Sequence, residues 1–164
     1  MLTDQGHSFH HYCSDVTICF PVNGHFTTKQ AEIYNIVLTA SRAVFAKLAP
    51  GVSWTDCHKL AERVILEGLV RLGCLTGDID EMLEKRIAFI FMPHGLGHFI
   101  GLDTHDVGGY LPHTPKRNPL PGLSNLRTAR VMEAGNIITI EPGCYFRDFL
   151  LDGEVPQDFF QFDL

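Results

Sequence analysis

Three histidines, His94, His98 and His105, stand within residues 92–106 together with Gly95, Gly97, Gly101, Asp103 and Asp106. Glycines at those positions remove side chains where a backbone must bend or approach another group closely, which leaves the imidazoles to define the local chemistry. A neutral imidazole is the commonest metal ligand and titrates near neutrality, so the cluster suits a metal-dependent hydrolytic site. Any one of the three is as readily a hydrogen-bonded, half-buried histidine; it is their clustering that carries the functional reading. Downstream, Glu141 closes the apolar, β-branched run 136–140 and precedes Pro142 and Gly143. An uncompensated carboxylate there loses hydration at a large cost, so it calls for a metal ion, or for a salt bridge with Arg127 or Arg130. Near the start, Asp4 and Asp15 are eleven positions apart. On two paired strands joined by a turn, both carboxylates would project into one pocket; spacing alone equally allows a mobile terminal residue and a strand-end cap. Oxygen donors with one imidazole suit hard to borderline divalent ions such as manganese, or a zinc or cobalt pair, and two such ions can polarise a carbonyl and activate a shared water.

The elements that must position these residues are legible in part. Residues 12–20 alternate polar and apolar types and stop at Pro21 and the Asn23-Gly24 turn signal, which predicts a strand. Thr27 and Gln30 form a capping box, and Tyr34, Val37, Leu38, Ser41, Val44, Phe45 and Leu48 follow at helical spacing up to Pro50-Gly51. A second helix begins at Ser53 or Thr55, carries Leu60, Val64, Leu69 and Leu72 on one face, and ends at Gly73. Its Lys59, Glu62, Arg63 and Arg71 are expected on a solvated face. Residues 78–85 suggest a short third helix, and the bulky apolar run 87–91 a buried strand. Residues 110–123 hold four prolines and read as a surface loop at the rim of the site; residues 136–140 read as a strand with Glu141 at its end.

Composition narrows the partners. The chain has 164 residues, 45% of them hydrophobic and 20% charged, which suffices for one domain with a core. A net charge of −6 gives no electrostatic reason to expect nucleic acid or an anionic membrane. No basic and apolar leader opens the sequence, and no stretch reaches the ~20 apolar residues that span a bilayer. Five scattered cysteines, an odd number, suit reduced thiols in a cytoplasmic protein.

The segment around Asp4 and Asp15, the stretch MPHGLGHFIGLDTHDVGG at 92–109, LRTAR at 126–130 and IEPGCYF at 140–146 resemble the catalytic domain of prolidases, the Xaa-Pro dipeptidases of the pita-bread metallopeptidase family. The likeness runs from about Asp4 to Leu151. It implies an α+β, creatinase/aminopeptidase-like fold, a curved antiparallel sheet with helices on one face, and a manganese-dependent dinuclear hydrolase acting on dipeptides that end in proline. By residue-by-residue matching, the metal ligands would be Asp4, Asp15, His98 and Glu141. His105 would stabilise the tetrahedral intermediate, His94 would line the substrate pocket, and Arg127 would hold the proline carboxylate. Family members are dimers, so a homodimer is expected of the complete protein. The family's second ligand glutamate has no match: Glu154 follows Glu141 too soon, and the tail 152–164, with Phe159, Phe160 and Phe162, diverges. The expectation is therefore a partial catalytic domain over 1–164, incomplete at both ends, with weak metal binding and exposed sheet edges. The alternative is an inactive, truncated fragment acting as a binding or dimerisation module.

Overall fold

The structure, a computed structural model, describes residues 1–148. Glu154 and the aromatic tail expected to diverge lie outside the described residues.

The chain begins with four short strands: β1 (Leu2–Gln5), β2 (Ser8–Phe9), β3 (Tyr12–Cys13) and β4 (Val16–Cys19). β1 pairs antiparallel with β4 in a register that sets Asp4 opposite Thr17, and β2 pairs antiparallel with β3. The strand expected over 12–20 is thus divided at Ser14 and Asp15. The cause is a local bond network: the Ser14 backbone N–H donates to the His7 carbonyl at 2.8 Å, and the His7 N–H donates to Ser14 Oγ at 3.0 Å, which folds the β2–β3 hairpin out of the β1–β4 ladder.

α1 (Thr28–Lys47) starts where the capping box places it, with the Gln30 N–H donating to Thr27 Oγ1 and the Thr27 N–H to Gln30 Oε1. Such a cap is worth about 1 kcal/mol. The row that packs fully is Ile36, Ala40 and Val44, however, while Tyr34 and Phe45 are exposed. Ile36 selects that face because Gly68 of the next helix leaves room for it: a Cβ there would fall 2.6 Å from the Ile36 side chain. α2 (Trp54–Arg71) is capped by Ser53. It ends in a Schellman turn, with Gly73 at φ 75° donating to the Val70 carbonyl and Cys74 donating to that of Leu69. Trp54, Cys57, Ala61, Ile65, Leu66 and Leu69 are fully buried. Glu62, expected on a solvated face, is fully buried as well. It is compensated there by ionic partners described below.

α3 (Ile79–Glu84) is capped by Asp78, and the run expected to be a strand is instead the short helix α4 (Ala88–Phe91). An apolar run of this length has no periodicity that separates the two states. The helical turn prevails because it closes its own hydrogen bonds, Met92 N–H to the Ala88 carbonyl at 2.8 Å among them, while Ala88, Phe91 and Met92 are buried in the core beside α2. Residues 136–140 are extended as expected. Thr139 and Glu141 donate backbone N–H groups to the His98 and Leu96 carbonyls, and Ile100 donates to Ile137, an antiparallel register bridged at Phe99 and Ile138. The described residues thus carry two small ladders and this ribbon beside the helices rather than one continuous sheet. Residues 110–122 form an irregular loop that ends in a 3-10 turn at Leu123–Asn125. No helix of the described residues is long and apolar enough to cross a membrane.

Candidate metal centre

The ribbon sets two donors face to face. Gly97 makes this possible, since a Cβ there would lie 2.0 Å from the Thr139 carbonyl oxygen, inside any contact distance. With the strands that close, His98 and Glu141 meet across the ribbon. A third donor arrives from the break between β3 and β4: the Cys13 N–H donates to the Gly101 carbonyl at 2.8 Å, docking the hairpin on the end of the ribbon, and Asp15 lies beside His98.

Asp15, His98 and Glu141 offer ligand atoms that all lie within 4.8 Å of one another. His98 Nε2 is 3.2 Å from Asp15 Oδ2 and 3.1 Å from Glu141 Oε1. Its Nδ1 is 2.9 Å from the Phe99 carbonyl, which can only accept, so Nδ1 carries a proton. In the neutral ring the Nε2 lone pair then faces two carboxylate oxygens. Three acceptors converging in this way require a cation between them, either a second proton on Nε2 or a metal ion. No arginine or lysine lies within salt-bridge distance of either carboxylate among the described residues; Arg130, one of the expected partners of Glu141, instead donates to Glu133 and to the Gly108 carbonyl. The donor set therefore fits a divalent ion of the hard to borderline kind.

Asp4 lines the same cavity, of about 1740 Å³, and its position opposite Thr17 puts it on the same face of the ladder as Asp15. It does not belong to the close three-donor group. His105 stacks edge-on against His98, ring centroids 4.3 Å apart. Loss of solvent, followed by repulsion from Arg127 and from His98, holds its pKa below the ordinary histidine value; Glu141 and Asp15 offset this only in part. His94 also lines the cavity, with Nδ1 2.8 Å from the Gly95 carbonyl and a buried Nε2 that has no hydrogen-bond partner. Arg127 is exposed at the cavity wall.

Thr139 escaped the sequence reading. Its hydroxyl donates to Glu141 Oε1 at 2.6 Å and accepts the His98 backbone N–H at 3.0 Å, so one side chain fixes the carboxylate and the strand that carries the imidazole. Its position two residues before Glu141 in an extended segment, on the same face, was the available signal.

Residues 1–157 match the family described as Metallopeptidase family M24. The chain is 52% identical to the Xaa-Pro dipeptidase of Rattus norvegicus and 50% identical to that of Homo sapiens, in each case over 92% of this chain and 30% of the relative. It thus spans about 30% of the length of these relatives. Among solved structures, an Escherichia coli aminopeptidase P substituted with zinc and bound to product superposes with a TM-score of 0.77 at 38% identity, over 96% of this chain and 32% of that one. The Pseudomonas aeruginosa aminopeptidase PepP superposes with a TM-score of 0.76 at 40% identity, over 90% and 30%. The fold is that of these aminopeptidases, the pita-bread arrangement expected from the sequence, present here in part.

Proposed function

The chain belongs to metallopeptidase family M24, and from that premise we propose that it serves the metal-dependent hydrolysis of dipeptides with a C-terminal proline. Asp4, Asp15, His98 and Glu141 are the ligands of the divalent ions in this reading, with manganese the expected metal and zinc or cobalt able to replace it. The observation that carries it is the convergence of two carboxylates on Nε2 of His98 with no arginine or lysine at salt-bridge distance among the described residues. The relatives named Xaa-Pro dipeptidase support the choice of substrate.

Divalent ions bound there supply Lewis-acid polarisation of the scissile carbonyl and lower the pKa of the attacking water. The chain's own residues orient the dipeptide. Arg127 offers a forked, charge-assisted pair of hydrogen bonds to a free carboxylate, which restricts the substrate to a peptide whose C-terminus lies next to the scissile bond. His105, its pKa held low, is neutral near neutral pH and presents a ring N–H where negative charge develops on the carbonyl oxygen. His94, its Nδ1 proton engaged by the Gly95 carbonyl, lines the substrate pocket. Five free cysteines accord with a reducing, cytoplasmic setting, and a homodimer is the assembly this reading carries with it.

The test is the metal content of the folded chain after equilibration with manganese and removal of loosely held ions, followed by an assay with glycyl-proline. Manganese retained by the folded chain, even below two ions per chain, with that retention and any hydrolysis lost in His98→Ala and in Glu141→Ala, is the expected result. Metal content that does not respond to either substitution overturns the assignment.

A further inference from the structure

A second cluster of ionisable side chains lies away from the metal centre, and it touches the loop that ends at Arg127. His58 Nε2 is 3.1 Å from Glu62 Oε1, and both side chains are fully buried. Arg86 forks onto the same carboxylate, Nη1 to Oε2 at 2.9 Å and Nη2 to Oε1 at 2.5 Å, and its third donor, Nε, reaches the Pro121 carbonyl at 2.9 Å. Arg86 occupies the left-handed position of a Schellman turn after α3, at φ 60°, with its N–H donating to the Leu83 carbonyl and the Ile87 N–H to that of Met82. Glycine makes that turn without strain, so an arginine there is explained by what its guanidinium reaches. From the other side, Gly122 at φ 80° lays its backbone on the cluster: a Cβ would fall 3.0 Å from Arg86 Nη2 and 3.2 Å from Glu62 Oε1.

The loop leaves this contact directly for the site. The 3-10 turn Leu123–Asn125 follows, Asn125 Nδ2 donates to the Pro93 carbonyl at 2.7 Å, and the backbone of 125–126 packs on Gly95, one residue before Arg127 and one after His94 respectively. Tyr110 and Arg117 also bond this segment, through the Ser124 and Leu126 carbonyls, but they belong to the same loop and move with it. Leu123 and Leu126 bury apolar side chains, a contact without direction. The directional tie between the loop and the helical core at Pro121 is Arg86. We propose that Arg86, held in place by Glu62 and His58, is a positioning residue for Arg127, clamping the loop so that the Arg127 guanidinium is presented to the cavity. The catalytic consequence rests on the reading of Arg127 as the group that binds the substrate carboxylate; the clamp itself does not.

Hydrogen exchange on the 164-residue chain tests the clamp, with Arg86→Met removing it from the core side and Gly122→Ala displacing it from the loop side. The backbone N–H groups of Ser124, Asn125 and Leu126 donate to the carbonyls of Leu120, Gly122 and Leu123. In Gly122→Ala, which leaves the Arg86–Glu62 pair in place, their exchange is expected to accelerate about tenfold more than that of the amides in the interior of α1, and in Arg86→Met about tenfold beyond what the drop in urea midpoint accounts for. Equal acceleration throughout, or none in the loop, overturns the proposal, because a merely structural pair lowers protection everywhere. Should Arg86→Met fail to fold, Gly122→Ala and the conservative Arg86→Lys decide the matter by the same ratio. In parallel, L-proline affinity is measured for the wild type, Arg127→Ala, Arg86→Met and the double variant. The double variant is expected to bind as weakly as Arg127→Ala and no more weakly; a further loss equal to that of Arg86→Met alone overturns action through Arg127. Proline binding indifferent to Arg127→Ala would overturn the carboxylate reading, and the exchange ratio would then decide the clamp by itself.

Discussion

His58 and His98 each place an imidazole nitrogen 3.1 Å from a glutamate oxygen, but what compensates the negative charge differs. At His58 the guanidinium of Arg86 closes the cluster, and the Glu62 side chain is wholly buried. Burial works against the charged Glu62, yet the hydrogen bond and charge of His58, with those of Arg86, outweigh it and hold the carboxyl below its ordinary pKa. At His98 two carboxylates converge and no arginine or lysine reaches them among the described residues; the Glu141 side chain is 40% exposed to the cavity. A histidine–carboxylate pair is thus structural where the protein supplies the cation and open to chemistry where a cation must come from solution.

That contrast can be broken from either side. The largest expected effect is at the closed cluster: Arg86→Met leaves a buried carboxylate without its guanidinium partner and should cost about 3–5 kcal/mol, read as a lowered urea midpoint without a matching loss of metal affinity. At the open cluster the effect should depend on the ion. A divalent metal at a hundredfold excess over its dissociation constant should stabilise the wild-type chain by about 2.7 kcal/mol, and thermal unfolding of His98→Ala with and without chelator should show no such difference. Thr139→Val keeps the shape of the strand but releases the Glu141 carboxylate; metal titration should then show an affinity about tenfold weaker, and an unchanged affinity would remove Thr139 from the site. The smallest effect expected is acid sensitivity. Because the folded state holds the Glu62 pKa below that of the unfolded chain, the unfolded state binds more protons between the two values, so stability is present above the ordinary glutamate range and is lost as the pH falls through the folded value. Denaturant midpoints measured across that acidic window should slope less in Glu62→Gln than in the wild type.

Sequence pattern reached the two clusters unequally. His98 and Glu141 stood out because glycines and an apolar strand surround them, a context in which ionisable side chains are conspicuous. Pattern places Glu62 on a solvated face because it stands three positions after Lys59, with Arg63 four positions after Lys59, at the spacing of an exposed charged stripe on α2. Its actual partner is twenty-four positions away and reaches it only through the turn after α3. The same limit explains α4: residues 87–91 carry bulk but no period, and packing against α2 chose the helix. The apolar stripe of α1 was right in period and turned in direction, since the face that packs was set by the missing side chain of Gly68 in another helix.

The sequence by itself determined α1 and α2 with their N-caps, the family resemblance, and the types of residue present as candidate metal and carboxylate partners, because these depend on local hydrogen bonds and on chemistry that each side chain carries with it. Tertiary structure alone decided that Asp15, His98 and Glu141 share one point while Asp4 stands outside the closest group. It also decided that Thr139 orients Glu141 and that Arg86 closes the buried cluster. The Thr139–Glu141 bond is local, but the other outcomes are distances between residues far apart in the chain, and the close approach of backbones at Gly97 and Gly122, with the docking of Cys13 on Gly101, brings such distances down to the length of a hydrogen bond.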